Sequence, residues 1–177
     1  ACSVSISSYL GSQLMMAIYK TMPVKQRNKP ITISMPVNLR NYYPSETSRN
    51  FFNSVLVSHV FKGDEDITEL SKMFDKQLKD HLKPEKIRQT MNNFQQIEHN
   101  PVARIAPLFI KQPVVRFFSK RENKNVTAVL SNLGQRKLPQ QIEKYVKGYA
   151  GFCSTESVFI VVSSYKDDLV LGVSSAY

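Results

Sequence analysis

The sequence predicts an α/β fold, a mixed β-sheet with flanking helices, in a single domain spanning residues 1–177. Apolar and polar residues alternate from Ile31 to Arg40, which is the period of a half-buried strand. The unbroken apolar run of residues 158–162 is typical of a strand covered on both faces. Between these strands the apolar residues recur at helical spacing, at Leu70, Met73, Phe74, Leu78 and Leu82.

The first half of the chain is expected to begin with a largely buried helix over 7–21, capped within the serine-rich stretch 5–8. The alternating strand follows, and Pro36 places it at a sheet edge or a bulge, because proline cannot donate to the ladder. A second strand over 51–61 leads to a helix that Asp66 can cap.

Prolines divide the helices of the second half. Pro84 is expected to open one helix. Another begins at Pro101, and Pro107 and Pro113 are expected to break or kink it, because each removes a backbone donor. A short amphipathic helix then ends near Gly148.

Three more strands complete the predicted sheet. Residues 126–133 form a strand pattern that ends at Gly134. Residues 158–165 and 169–176 lie on either side of a short polar turn and predict a hairpin. Five strands with helices between them therefore predict one mixed α/β layer.

Cysteine content and hydropathy limit the classes to which this protein can belong. Cys2 and Cys153 stand outside any CxxC or metal-ligand spacing, which predicts a reduced, cytoplasmic setting. No apolar run approaches the roughly 20 residues of a membrane span, so no span is expected. The chain starts at Ala1 without Met and stops within a strand pattern, so we expect a piece of a longer protein.

The formal net charge of +10 raises the question of a partner. Six of the cations fall in two polar clusters, at Lys25, Arg27, Lys29, Lys120, Arg121 and Lys124. Such clusters can hold phosphates of a nucleic acid, a membrane or a nucleotide cofactor. A solvated basic surface explains them equally well.

The sequence contains no complete catalytic constellation. Its three histidines, His59, His81 and His99, lack zinc-site spacing, so no metal site is expected and structural or surface roles are favoured. A Gly-x-Ser-x-Gly elbow, a P-loop and a Gly-x-Gly-x-x-Gly loop are all missing from the sequence.

Two polar segments nevertheless interrupt the apolar pattern, at residues 35–40 and 130–134. By strand alternation Arg40 points to the face opposite the apolar set, together with Asn38. A guanidinium at a strand end can hold a carboxylate through two parallel hydrogen bonds. An ordinary surface arginine remains the alternative.

These segments carry a resemblance. The run ITISMPVNLRNYYPSETSRNFFN, the later NPVARIAPLFIK and the LSNLG element are similar to bacterial alcohol-acetyltransferase-type proteins. That group belongs to the chloramphenicol-acetyltransferase-like superfamily, with peptide-synthetase condensation domains and wax-ester-synthase-type acyltransferases. The likeness extends over nearly the whole chain, and the Pro-Val-Asn-Leu-Arg and Ser-Asn-Leu-Gly elements are its most specific parts.

The resemblance implies the C-terminal lobe of a two-lobed, CoA-dependent acyltransferase with its active site between the lobes. In such enzymes a His-His-x-x-x-Asp motif of the other lobe supplies the general base that activates an alcohol or amine acceptor. Arg40 matches the arginine that pairs with the motif's aspartate, with Asn38 beside it. Ser131 and Asn132 match an element next to the tunnel, where they could stabilise an oxyanion.

His-His-x-x-x-Asp occurs nowhere in this sequence. The resemblance therefore implies that the N-terminal lobe is missing, that this chain alone is inactive, and that it can self-associate or bind that lobe. The basic clusters fit an acyl-CoA co-substrate with an acetyl or longer acyl group. The rival hypothesis is a non-catalytic basic module for nucleic acid or acidic partners, although the paired aromatics of 51–52 and 117–118 are unlike a stacking platform, which argues against nucleic acid.

Overall fold

A computed structural model describes residues 4–48, 51–99, 101, 107–135, 138–155 and 157–176. It confirms the predicted class, an α/β fold in which a mixed sheet carries flanking helices. The five strands are β1 Ile31–Asn38, β2 Phe52–His59, β3 Ala128–Gln135, β4 Val158–Tyr165 and β5 Asp168–Ser174. The helices with assigned bounds are α1 Ile6–Thr21, α2 Ile67–His81, α3 Pro84–His99, α4 Leu108–Asn123 and α5 Gln140–Glu143.

The sheet has the order β2-β1-β3-β4-β5. The three central strands, β1, β3 and β4, run parallel, and each outer strand pairs antiparallel with its neighbour. Because parallel strands share a direction, the carboxyl ends of β1, β3 and β4 lie at one end of the sheet and their amino ends at the opposite end. Ligand sites of open α/β sheets form at the carboxyl ends.

Local sequence explains where the two main helices begin. Ser5 caps α1, its hydroxyl accepting a hydrogen bond from the Ser8 amide at 3.1 Å. Asp66 caps α2 as predicted, its carboxylate accepting from the Thr68 amide at 3.2 Å. Each cap satisfies a backbone donor that the first helical turn leaves unpaired.

One face of the sheet, the helix-bearing face, packs against α1 and α2. Its core is built from fully buried residues of both helices and of four strands, among them Met15, Phe74, Ile33, Val57 and Leu130. Gly11 lets α1 approach α2, because a Cβ on Gly11 would lie 2.8 Å from the Cε1 atom of Phe74. The small residue is therefore a packing requirement.

The opposite face is covered over β4 and β5 by an extended segment after α5. The Tyr149 carbonyl accepts a hydrogen bond from the Ser163 hydroxyl at 3.4 Å, and Gly151 contacts Gly172 of β5. The predicted helix ending near Gly148 was therefore largely wrong. Only four residues are helical, and the residues that follow them pack across the sheet without regular secondary structure.

The structure refines the expectations for three prolines. β1 as a whole is an inner strand, between β2 and β3. The β1–β3 pairing ends at Ser34, so Pro36 interrupts no bond of that ladder. Pro113 lies inside α4 and does not end it. Pro107 stands just before α4, and its carbonyl accepts from the Ile110 amide at 3.0 Å.

Candidate functional site

A cleft of about 540 Å³ opens at the carboxyl ends of β1 and β3. We call it the carboxyl-end cleft. It is lined by the first turn of α1, the end of β1, the last turn of α2 and the end of β3, at Ser5, Ser7, Met35, Pro36, Val37, Asn38, Leu78, Leu82, Asn132, Leu133 and Gly134. Apolar side chains form much of the lining, and two amides and two hydroxyls are its polar groups.

Two hydrogen bonds position the exposed side chain of Asn132 at the carboxyl-end cleft. Its amide nitrogen donates to the Ser7 hydroxyl at 2.7 Å, and its oxygen accepts from the Gly134 amide at 2.8 Å. Gly134 adopts a φ of +67°, a conformation that glycine enters at little cost. The β3–β4 register shifts in the same stretch, so the strand ends in a bulge that presents the amide to the cleft.

Asn38, the last residue of β1, also lines the carboxyl-end cleft. Its side-chain oxygen accepts from the Arg40 amide at 3.0 Å and caps the 3₁₀ turn of residues 39–41. Both asparagines were predicted as site residues from separate segments. The parallel pairing of β1 with β3 brings their segments to one cleft.

Arg40 lies beside the carboxyl-end cleft but does not line it. β1 ends at Asn38, and Arg40 belongs to the 3₁₀ turn, so the face assigned to Arg40 by strand alternation was wrong. Its exposed guanidinium donates to the Thr47 carbonyl at 2.7 Å and tethers the loop that follows β1. The predicted pairing of Arg40 with a carboxylate of another lobe stays a prediction.

Ser131 does not line the carboxyl-end cleft. It pairs with Val161 of β4, whereas Asn132 pairs with Val162, so the two side chains project from opposite faces of the sheet. Ser131 is half-buried on the face away from α1 and α2. Of the predicted Ser-Asn element, only the asparagine is at the cleft.

Sequence reasoning missed the group that holds the rim of the carboxyl-end cleft in place. The Asp75 carboxylate accepts from the Ser8 hydroxyl at 2.8 Å and from the Ser5 amide at 3.3 Å, and so anchors the start of α1. Burial acts to raise the pKa of Asp75, but the hydrogen bonds from Lys79, Ser8 and Ser5 outweigh it, so the pKa lies below its ordinary value. Its helical position beside lysines gave no sequence signal of burial.

The predicted basic residues lie at the other end of the sheet. The segment that leads into β1 contains Lys25, Arg27 and Lys29, and the segment that leads into β3 contains Lys124. The two strands come together where the Thr127 amide donates to the Thr32 carbonyl at 2.8 Å. At about 3.3 Å per residue, β1 separates these basic residues from the carboxyl-end cleft by about 23 Å.

The remaining predicted cations differ in their surroundings. Arg27 is half-buried, with its guanidinium 5.2 Å from the centre of the Tyr19 ring, whereas Lys25, Lys29 and Lys124 are exposed. Arg121 is exposed near the end of α4, and the Lys120 side chain lies outside the described part of the structure. Four of the predicted cations, Lys25, Lys29, Arg121 and Lys124, are thus exposed to solvent.

No histidine is among the described residues that line the carboxyl-end cleft, although His81 precedes the lining residue Leu82 in the chain. His59 ends β2, and its Nε2 is 2.6 Å from a Glu65 carboxylate oxygen. It pairs with Ile31, which places it near the amino end of β1. His81 and His99 are exposed at the ends of α2 and α3. The residues that line the cleft, as far as the structure describes them, include no histidine, cysteine or carboxylate.

Within the described ranges, no group of three metal-ligating side chains lies together and no helix is long and apolar enough to cross a membrane. Comparison with protein-family models, curated proteins and solved structures found no match for the chain.

Proposed function

We propose that this chain is the C-terminal lobe of a CoA-dependent acyltransferase, which moves an acyl group, acetyl in the simplest case, from acyl-CoA to an alcohol or amine. In this proposal the carboxyl-end cleft forms one wall of the transfer site. The catalytic histidine belongs to an N-terminal lobe that this chain does not include. The motif resemblance in residues 31–53 and 130–134 motivates the proposal.

The observation that carries the proposal is the fixed amide of Asn132. Two hydrogen bonds orient it, one donated to Ser7 and one accepted from Gly134. The second amide hydrogen remains available to a ligand, because the nitrogen carries two. A donor held in place before reaction is what stabilises the oxyanion of a tetrahedral acyl-transfer intermediate.

The chemistry of the carboxyl-end cleft also indicates that it would supply only part of an active site. Its described lining offers hydrogen-bond donors and apolar surface, which suit a thioester and its acyl chain, but no group that titrates near neutral pH. Deprotonating an alcohol or amine requires such a group within hydrogen-bond reach. In the proposal a second lobe supplies it, and Arg40 at the rim of the cleft receives that lobe's aspartate.

The test is acyl transfer by the full-length protein in which this chain would be the second lobe. Thiol release from acetyl-CoA is followed with a panel of alcohols and amines. Replacing Asn132 with Ala is expected to lower kcat by about 10²–10³-fold, because one oxyanion donor is removed. The KM for acetyl-CoA should change little, since the donor acts mainly on the transition state.

Asn125→Ala is the matched control, because Asn125 is an exposed asparagine in the loop before β3. It should leave kcat unchanged. This chain by itself should show no turnover. Full activity of Asn132→Ala, or turnover by the isolated chain that withstands purification, would refute the proposal.

A second candidate, a basic module for nucleic acid, is favoured by one observation: exposed Lys25, Lys29 and Lys124 lie in the segments that lead into the amino ends of β1 and β3. Fluorescence anisotropy with a labelled oligonucleotide tests it. Binding whose affinity falls steeply between about 50 and 200 mM salt, and falls further in a triple Lys→Ala variant, would support this candidate. Acyl-CoA binding that the same variant weakens would instead assign these lysines to the CoA phosphates.

A further inference from the structure

The two outer strands of the sheet differ in whether their outward backbone groups have a hydrogen-bond partner. At β2, the Gln77 side chain of α2 donates to the Ser58 carbonyl at 3.2 Å and accepts from the Ser58 amide at 3.3 Å. Gln77 therefore satisfies backbone groups that would otherwise be open to another strand. This is a form of edge protection.

At β5, no side chain of the described residues is seen to bond the outer backbone groups in this way. Three apolar side chains on the helix-bearing face of β5 are about half exposed: Leu169 at 51%, Leu171 at 49% and Val173 at 59%. Asp168 is the only charged residue of the strand, which contains no proline. An unbroken outer strand of seven residues whose only charge is at its first position is a template for pairing with another strand.

The hairpin geometry identifies the unpaired backbone groups. β4 and β5 are joined by a two-residue loop, Lys166 and Asp167, and Tyr165 pairs with Asp168. The pair that flanks such a loop exchanges hydrogen bonds, and bonded pairs then alternate along the ladder. Asp168, Val170, Gly172 and Ser174 therefore bond to β4, and the amides and carbonyls of the three intervening residues point outward.

We propose that β5 pairs with β5 of a second copy of this chain, antiparallel and centred on Leu171, to give a continuous ten-stranded sheet. In this register Leu171 lies opposite its own symmetry mate and Leu169 lies opposite Val173. Residues directly opposite in a hydrogen-bonded antiparallel pair exchange two bonds. Three such pairs satisfy all six outward groups of each strand.

The side chains fit the same two-fold register. Apolar residues meet apolar residues on the helix-bearing face, and the charged Asp168 meets Ser174, so no like charges face one another. A second copy is thus a partner that matches β5 in both backbone and side chains. Pairing through one seven-residue strand is a small contact, which predicts a weak, concentration-dependent dimer.

This proposal does not depend on acyl transfer and is tested on the chain itself. Sedimentation velocity up to about 1 mM protein should show a monomer–dimer equilibrium. Leu171→Lys should abolish the dimer, because two ammonium groups would meet at the symmetry axis. Leu56→Lys is the matched control, since Leu56 is 45% exposed on the protected outer strand β2. It should dimerise like the unaltered chain.

Disulfide trapping tests the register. In a Cys2→Ser, Cys153→Ser background, a cysteine at position 171 should cross-link to itself under mild oxidation, because Cα atoms of a directly opposed bonded pair lie about 5.5 Å apart. A cysteine at position 169 should not, since its symmetry mate lies about 14 Å away along the strand. A monomer at every concentration, a dimer that survives Leu171→Lys, or equal trapping at 169 and 171 would overturn the proposal.

Discussion

The helix-bearing face of the sheet differs between its two halves. Over β2, β1 and β3 it is covered by α1 and α2, and residues such as Ile33 and Val57 are fully buried. Over β5 the same face leaves Leu169, Leu171 and Val173 about half exposed. We call these the covered half and the open half.

The covered half also contains buried polar contacts between its helices. The Ser12 and Ser71 hydroxyls are 2.6 Å apart and fully buried, and the Ser8 hydroxyl donates to Asp75. Polar groups removed from water must be paired, and here each has a partner. The comparison indicates that folding free energy is concentrated in the covered half, whereas the open half contributes little to folding and is available for association.

The largest difference between the halves is expected from truncating an apolar side chain in each. Phe74 is fully buried between α1, α2 and the sheet, so Phe74→Ala should lower the free energy of unfolding by about 3–5 kcal/mol. Leu171→Ala should lower it by less than about 0.5 kcal/mol, because Leu171 is half exposed. Urea unfolding followed by circular dichroism measures both. Equal losses would contradict the division into halves.

A smaller effect is expected from adding a methyl group. Gly11→Ala would drive a Cβ into the Phe74 ring, and we expect a loss of about 1–3 kcal/mol. Gly148→Ala is the control, because no atom lies within 4 Å of a Cβ built there. Thermal unfolding should separate the two variants. An unchanged melting temperature for Gly11→Ala would mean that α1 and α2 can move apart at no cost.

Much of this fold could be predicted because its signals are local. The caps at Ser5 and Asp66 and the hairpin of β4 and β5 follow from nearest-neighbour chemistry, and all three are confirmed. The expectations that failed are those in which tertiary contacts override the local sequence signal. Pro36 suggested an edge or a bulge, but β1 is an inner strand from which β3 diverges before reaching Pro36. Residues near Gly148 pack across the sheet and are not helical.

The candidate site was predictable only in part, for the same reason. Motif likeness selected Asn38 and Asn132, but only strand order shows that they share a cleft. Ser7 and Asp75 had no signal, because a serine in a helix and a carboxylate among lysines are usually solvated. The basic clusters were visible in sequence, yet their position at the opposite end of β1 follows from chain direction alone.

The smallest and most specific effect concerns Asp75 in the covered half. Because the pKa of Asp75 in the folded chain lies below its ordinary value of 3.8, its charge stabilises the fold above that value. This contribution should disappear as the pH falls through the lowered folded pKa. Asp75→Asn keeps an acceptor for Ser8 and should lose about 1 kcal/mol near neutral pH. Urea unfolding between about pH 2 and pH 7 should show a shallower acid decline in the variant than in the unaltered chain.

Asp80 provides the control, because hydrogen bonds from Lys83 and Lys86 lower its pKa to about 2 on the helix surface. Both carboxylates titrate in acid, but exposed ion pairs are screened by salt and partly buried ones much less so. In about 1 M salt the Asp80→Asn variant should become indistinguishable from the unaltered chain, whereas the Asp75→Asn difference should persist. If salt removes both differences alike, Asp75 is an ordinary surface carboxylate and the start of α1 is held by its cap alone.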